Sequence, residues 1–341
     1  MDRRVSYCRV AVLALALIAG HTKAAAAAAA LQSRIEIVSG DDRSVTYREK
    51  LPARVAIDSG SGLYHRNGCP AIRPHMQWLA PAAATLRGIK AHACPVSANA
   101  EYATHTVQRP PRDPNVISVL FLGNSLVYFN EIPRMTAEIG AREKRPLRVD
   151  AVTRSGVTLE QLWNDTDARK KLWLEHWDYV VVQGGAGMAN PITNAGAFNR
   201  YLGMFAADVR KSGAEPLFYL VWRPEQPANY ERVALDSAKR AQMKVVPAGI
   251  AWLDLIRRGR FRRLDIDGLH PDALGAYLVA CSVYSTIYGK PAHGAPHDFR
   301  HLAARNEIYD DGLRTQTITA EDARALQDAA WAAVQRMKAA P

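Results

Sequence analysis

Two short stretches of this chain hold residues that could together draw a proton off a hydroxyl. Gly123-Asn124-Ser125-Leu126 places a serine directly behind an apolar run, and Asp267-Gly268-Leu269-His270-Pro271 places a carboxylate and an imidazole three residues apart. A serine hydroxyl is a poor nucleophile until a base takes its proton, and imidazole does so near neutral pH. A carboxylate beside that base holds its tautomer and stabilises the imidazolium. With this spacing, one turn can present Asp267 and His270 together toward Ser125. Asp265 competes as the orienting carboxylate, but a five-residue offset suits a short turn less well. Each residue also has a plain reading. Ser125 could cap a helix, His270 before a proline could close a turn, and Gly156 could be an ordinary turn glycine.

The elements that would position these residues alternate. Val116–Leu122 is a continuous apolar run, as expected of a strand buried on both faces. Leu147–Val152, Tyr179–Val182, Pro216–Val221 and the shorter Lys244–Val246 repeat the pattern. Helical periodicity fills 131–143, 158–173, 194–211 and 229–241, then 249–258 and 272–288. Thr319 and Asp322 open a final amphipathic helix. This alternation predicts an α/β fold with a doubly wound parallel sheet. Ligands of such sheets bind beyond the carboxyl ends of the strands. There stand Ser125, then Ser155-Gly156-Val157, then Gln183-Gly184-Gly185-Ala186-Gly187, then Trp222-Arg223-Pro224. For Trp222 and Arg223, packing over the sheet is the expectation, with substrate contact the alternative.

In order and placement these blocks resemble the SGNH (GDSL-like) hydrolases, over about 115–290. That family carries G-[DN]-S-L after the first strand, a glycine after the second, G-x-N after the third and D-x-x-H near the end. The phrase Asp267-Gly268-Leu269-His270-Pro271, continued by Gly275 and Tyr277, is the most family-like stretch. The resemblance implies a flavodoxin-like (SGNH hydrolase) fold and an acyl-enzyme at Ser125, with His270 and Asp267 as partners. It implies an oxyanion hole from the backbone N–H groups of Ser125 and Gly156 plus a side-chain amide after the third strand. The G-x-N positions fall on Gly185, Ala186 and Gly187, so the asparagine is missing. Gln183 is the expected substitute donor, with Asn190 the alternative. No metal or organic cofactor is expected. Exported members often deacetylate glycans, so an O-acetylated glycan is the first substrate expectation. A lipid or thioester is the second, and a catalytically weak glycan-binding envelope protein is the non-enzymatic alternative. Oligomeric state stays open.

Composition frames this reading. The 341 residues are 48% hydrophobic and 23% charged, ordinary for a globular chain. Net charge is +11, from 44 Lys and Arg against 33 Asp and Glu. Arg3, Arg4 and Arg9 precede the short apolar run Val10–Gly20, and Ala24–Ala30 offers A-x-A cleavage sites, the pattern of a signal peptide over 1–30. Without that segment 40 basic and 32 acidic residues remain. The apolar run is too short for a membrane span, so an exported protein, periplasmic or extracellular, is expected. No zinc-finger spacing and no basic stripe interleaved with aromatics point to nucleic acid. Residues 31–112 differ in texture and are expected to form a small module ending in the Pro-rich linker Arg109–Pro114, with the hydrolase domain over 113–341. Tyr64-His65, Cys69, the alanines 82–84 and Cys94 resemble a small Cys-containing module appended to bacterial extracellular proteins. Ser97 stands where that module's last cysteine would be, which disfavours a metal site and leaves a Cys69–Cys94 disulfide as the expectation. Cys281, in an apolar helical run, is expected to be a buried free thiol.

Overall fold

The computed structural model describes residues 35–50, 55–58, 60–61, 63–66, 73–74, 76–79, 90–91, 102–185, 190–223, 225, 227–302 and 316–339. The expected signal peptide, Cys69, the alanines 82–84 and Cys94 lie outside these residues, as do Ala186, Gly187 and Pro224. Contacts divide the chain into two compact units. One comprises Met1–Ser39, Thr46–Thr106 and Asn164–Thr166, and the other Gly40–Val45, Val107–Trp163 and Asp167–Pro341.

The larger unit is built on a five-stranded sheet, every pairing in it parallel. Its strands are β8 (Ile117–Gly123), β9 (Leu147–Thr153), β10 (Tyr179–Gln183), β11 (Glu215–Tyr219) and β12 (Lys244–Val246). They lie side by side in the order β9-β8-β10-β11-β12. Numbered within this sheet the order is 2-1-3-4-5, the flavodoxin-like doubly wound arrangement, whose ligand crevice opens where the winding reverses, between the first and third strands. Here that is between β8 and β10. Both are apolar throughout their middles because helices cover both faces: Val119–Leu122 and Val180–Val182 have no solvent exposure.

The helices are α1 (Ser125–Tyr128), α2 (Ile132–Ile139), α3 (Leu159–Asn164), α4 (Thr166–Leu174), α5 (Ala195–Lys211), α6 (Pro227–Arg240), α7 (Ala248–Arg257), α8 (Ala273–Tyr288) and α9 (Ala320–Ala339). The helix expected over 158–173 is two helices, interrupted at Asp165. Asn164-Asp165-Thr166-Asp167 is a run whose side chains compete with the helical backbone for hydrogen bonds, which favours an end there. The helix expected over 131–143 stops at Gly140, which donates its N–H to Thr136 O at 3.2 Å. At the last helix Thr319 Oγ1 accepts the Asp322 N–H at 3.1 Å. Cys281 is buried and free in α8, and burial pushes its thiol pKa up. Among the described residues no helix is long and apolar enough to cross a membrane.

The remaining strands are β1 (Ile35–Gly40), β2 (Ser44–Lys50), β3 (Val55–Asp58), β4 (Leu63–Arg66), β5 (Gln77–Leu79), β6 (Lys90–Ala91) and β7 (Tyr102–Gln108). They form a three-stranded sheet β1-β2-β7 and a four-stranded sheet β5-β3-β4-β6. β3 and β4 pair antiparallel.

Candidate active site

β8 delivers the chain to the crevice at Gly123, and Asn124 turns it into α1. Asn124 spends every polar group it has. Its Oδ1 accepts the Leu126 N–H at 3.1 Å, capping α1; its Nδ2 donates to Val157 O at 3.2 Å; its own N–H donates to Gln183 Oε1 at 2.9 Å. The loops after β8, β9 and β10 are thereby tied together at one residue. An aspartate could cap the helix equally well but could not donate to Val157, so the amide suits both tasks.

Ser125 opens α1 and is 7% exposed. Its Oγ stands 2.9 Å from His270 Nε2, and His270 Nδ1 stands 2.8 Å from Asp267 Oδ2. A carboxylate can only accept, so Nδ1 carries the proton and Nε2 is left to accept from the serine hydroxyl. The other oxygen of Asp267 holds the turn, accepting the N–H of Leu269 at 3.0 Å and of His270 at 2.8 Å. Asp265 is engaged elsewhere: its Oδ1 accepts from Gly268 N–H and Arg263 Nη2, at 2.5 and 2.9 Å. The turn is closed beneath by Ile266 N–H to His270 O at 2.8 Å and Asp272 N–H to Leu264 O at 3.0 Å.

The rest of the Asp267–Tyr277 phrase is structural. Asp272 caps α8 by accepting the Gly275 N–H at 2.9 Å; burial raises its pKa, and that hydrogen bond and Gln316 oppose the rise. Gly275 lies so close to Leu264 that an added Cβ would sit 2.1 Å from the Leu264 carbonyl oxygen. Tyr277 accepts a hydrogen bond from Gln327 Nε2 at 2.7 Å.

Two backbone donors face no competitor. Among the described residues neither the Ser125 nor the Gly156 N–H is spent on another acceptor. Gly156 is exposed and left-handed (φ 61°), with nothing within 4 Å of where a Cβ would be. Gln183 lies 2% exposed beneath the serine turn. Its carbonyl oxygen is committed to Asn124, while its buried Nε2 has no hydrogen-bond partner among the described residues. Asn190 caps a turn, its Oδ1 accepting the N–H of Ile192 and of Thr193. Trp222 is buried and stacked on Trp252 at 3.7 Å, and Arg223 Nη2 donates to Gly185 O at 3.0 Å. Packing thus accounts for Trp222, and Arg223 braces the loop after β10.

Two residues just after α1, Phe129 and Asn130, also reach the histidine loop. Phe129 stacks on the His270 ring at 4.2 Å between centroids, and Asn130 Nδ2 donates to Pro271 O at 2.8 Å. The available signal was weak: asparagine is enriched among left-handed residues, and a proline soon after marks a new helix start. Beside Asp267 a surface cavity of about 640 Å³ opens, lined by Arg262, Arg263, Asp265, Ile266, Asp267 and Gly268. Among the described residues no cluster of three or more His, Cys, Asp or Glu could hold a metal ion.

Fold and site together define an α/β protein of flavodoxin-like strand order with a serine, a histidine and an aspartate hydrogen-bonded in series at the winding reversal. No family model matches the sequence, and no curated protein matches it. Solved structures do. A candidate SGNH hydrolase from Slackia heliotrinireducens is 24% identical, over 51% of this chain and 100% of that one, with a TM-score of 0.43. A DUF4886 family protein from Bacteroides uniformis is 19% identical over 64% and 95%, with a TM-score of 0.48. An acetylxylan esterase from Geobacillus stearothermophilus is 14% identical over 50% and 94%, with a TM-score of 0.41.

Proposed function

We propose that this chain is an exported serine esterase of the SGNH class, with Ser125 as nucleophile, His270 as general base and acid, and Asp267 as orienting carboxylate. The observation that carries this reading is the series Ser125 Oγ–His270 Nε2–Asp267, with hydrogen bonds of 2.9 and 2.8 Å. As Ser125 Oγ attacks the ester carbonyl, its proton passes to His270 Nε2 and the carbonyl becomes an oxyanion. The free N–H groups of Ser125 and Gly156 are the donors for that oxyanion. Collapse breaks the bond to the alcohol, which leaves with the proton from His270, and acyl-Ser125 remains. Water then attacks the acyl carbon, His270 takes and returns a proton again, and the carboxylic acid departs. The test is a short-chain aryl ester assay alongside labelling by a serine-directed phosphonate. Phosphonate attachment mapped to Ser125, with parallel loss of ester hydrolysis, is the expected result; full hydrolysis with Ser125 unlabelled would remove the assignment.

For substrate, an O-acetyl group on a glycan comes first. The cavity beside Asp267 is open and carries the charged side chains of Arg262, Arg263 and Asp265, which supports a hydroxylated chain over a long acyl tail. Aryl acetate is therefore expected to exceed aryl octanoate in kcat/KM by at least tenfold, since each buried methylene that found an apolar channel would add about 0.8 kcal/mol of binding. A profile rising with chain length would instead indicate a lipase or thioesterase.

For the third oxyanion donor we propose Gln183 Nε2, a donor with no partner among the described residues. Its oxygen also supports Asn124, so two substitutions are needed to separate the roles. Gln183→Glu keeps an acceptor for the Asn124 N–H and removes the donor. Both Gln183→Glu and Gln183→Ala should lower kcat by about 10²–10³ with little change in KM. A Gln183→Glu enzyme with the parent kcat would reduce Gln183 to a prop for the serine turn.

A further inference from the structure

The segment between α1 and α2 adopts backbone geometry that calls for a reason. Asn130 (φ 52°, ψ 30°) and Glu131 (φ 53°, ψ 41°) are consecutive non-glycine residues in the left-handed region, which L-residues seldom enter. Asn130 has no solvent exposure, and Phe129 is 1% exposed. The strained turn aims these two neighbouring side chains at two neighbouring residues of the histidine loop. Phe129 lies against the His270 ring, 4.2 Å between centroids and 18° between planes. Asn130 Nδ2 donates to Pro271 O at 2.8 Å, across 141 residues of sequence.

The Pro271 carbonyl has no part in the helix that follows, because Asp272 O is the acceptor for the Ala276 N–H and the Gly275 N–H goes to the Asp272 side chain. Two bonds at the His270 backbone lie within its own loop: its N–H donates to Asp267 Oδ1, and its carbonyl accepts the Ile266 N–H. Those bonds shape the loop but cannot set its distance from the serine. The bond from Asn130 can, because Asn130 follows Ser125 by five positions in the segment that leaves α1.

We propose that Phe129 and Asn130 are positioning residues for proton transfer: a clamp, carried by the nucleophile's own segment, that fixes the plane of the His270 ring and its separation from Ser125. This rests on the esterase reading above. A gap of 2.9 Å between Oγ and Nε2 is productive, and a displacement of about 1 Å can cost about 10²-fold in rate. The strain at Asn130 is held in place by the contacts it makes possible.

Asn130→Gly is the sharpest probe, since glycine accepts φ 52° and only the amide is lost. With a saturating aryl ester, kcat should fall at least tenfold while KM stays within twofold. The decisive readout is a double-mutant cycle with His270→Ala. If Asn130 acts through the imidazole, Asn130→Gly/His270→Ala is no slower than His270→Ala alone. Multiplying losses in the double variant would mean general loosening of the site and would overturn the clamp, as would an unchanged kcat in Asn130→Gly. Should Asn130→Gly not fold, Phe129→Leu in the same cycle decides, with the same two outcomes. Ser125→Ala, run in parallel, separates the two ideas. If it hydrolyses ester at the parent rate, the esterase assignment is wrong; if it is inactive while Asn130→Gly keeps its kcat, only the clamp is wrong.

Discussion

Ser125→Ala is expected to lower kcat/KM for ester hydrolysis by on the order of 10⁴-fold or more. Alanine removes the oxygen that forms the acyl bond, and a water in its place would lack the chain's fixed geometry. His270→Ala should cost a similar factor because Ser125 Oγ then has no base at 2.9 Å. The double variant should be no worse than either single one, since a nucleophile without its base and a base without its nucleophile are equally idle. Asp267→Asn is the finest test of the series. An asparagine oxygen can still accept the Leu269 and His270 N–H groups that shape the turn. The loop should therefore survive, while Nδ1 loses its carboxylate and the imidazole its fixed tautomer, at a cost of about 10⁴-fold in kcat. Steady-state kinetics with circular dichroism of each variant would check this. An Asp267→Asn enzyme within tenfold of the parent would mean that Asp267 shapes the turn and does no more.

The largest effect on stability is expected at Gly275. A Cβ there would lie 2.1 Å from Leu264 O and 2.5 Å from the Trp252 ring. The carbonyl cannot simply withdraw, because it accepts the Asp272 N–H at 3.0 Å, the bond that closes the Asp267–His270 loop. Trp252 is held in turn by its stack on Trp222. Gly275→Ala should therefore destabilise by roughly 3 kcal/mol and lower Tm by about 6–12 °C. Activity should fall further than stability, because the displaced segment is the one that holds His270. Gly203→Ala is the matched control: it lies within α5 with nothing within 4 Å of its added Cβ. Alanine there is expected to raise stability by about 0.5–1 kcal/mol. Thermal melts of the two variants should move in opposite directions, and equal shifts would refute the close-approach explanation of Gly275.

Local chemistry made much of the α/β unit readable from its residues. Continuous apolar runs such as Val119–Leu122 and Val180–Val182 can be buried on both faces only in a helix-covered sheet, so they mark its strands without any partner being known. The three-residue step from Asp267 to His270 likewise needs only one turn, and the hydrogen bonds closing that turn are local. Where competing interactions are weak or distant, the residues are mute. The break at Asp165 and the short strands β3–β6 depend on small differences between similar local preferences. Gln183 shows the limit most clearly. Its position at a strand end makes an amide near Ser125 foreseeable, but only the register of β10 against β8 decides that its oxygen meets the Asn124 N–H and its nitrogen is buried beneath. Asn130 was invisible for the same reason. The bond to Pro271 joins residues 141 apart, and no pattern within a single segment encodes a contact that exists only once two segments have packed.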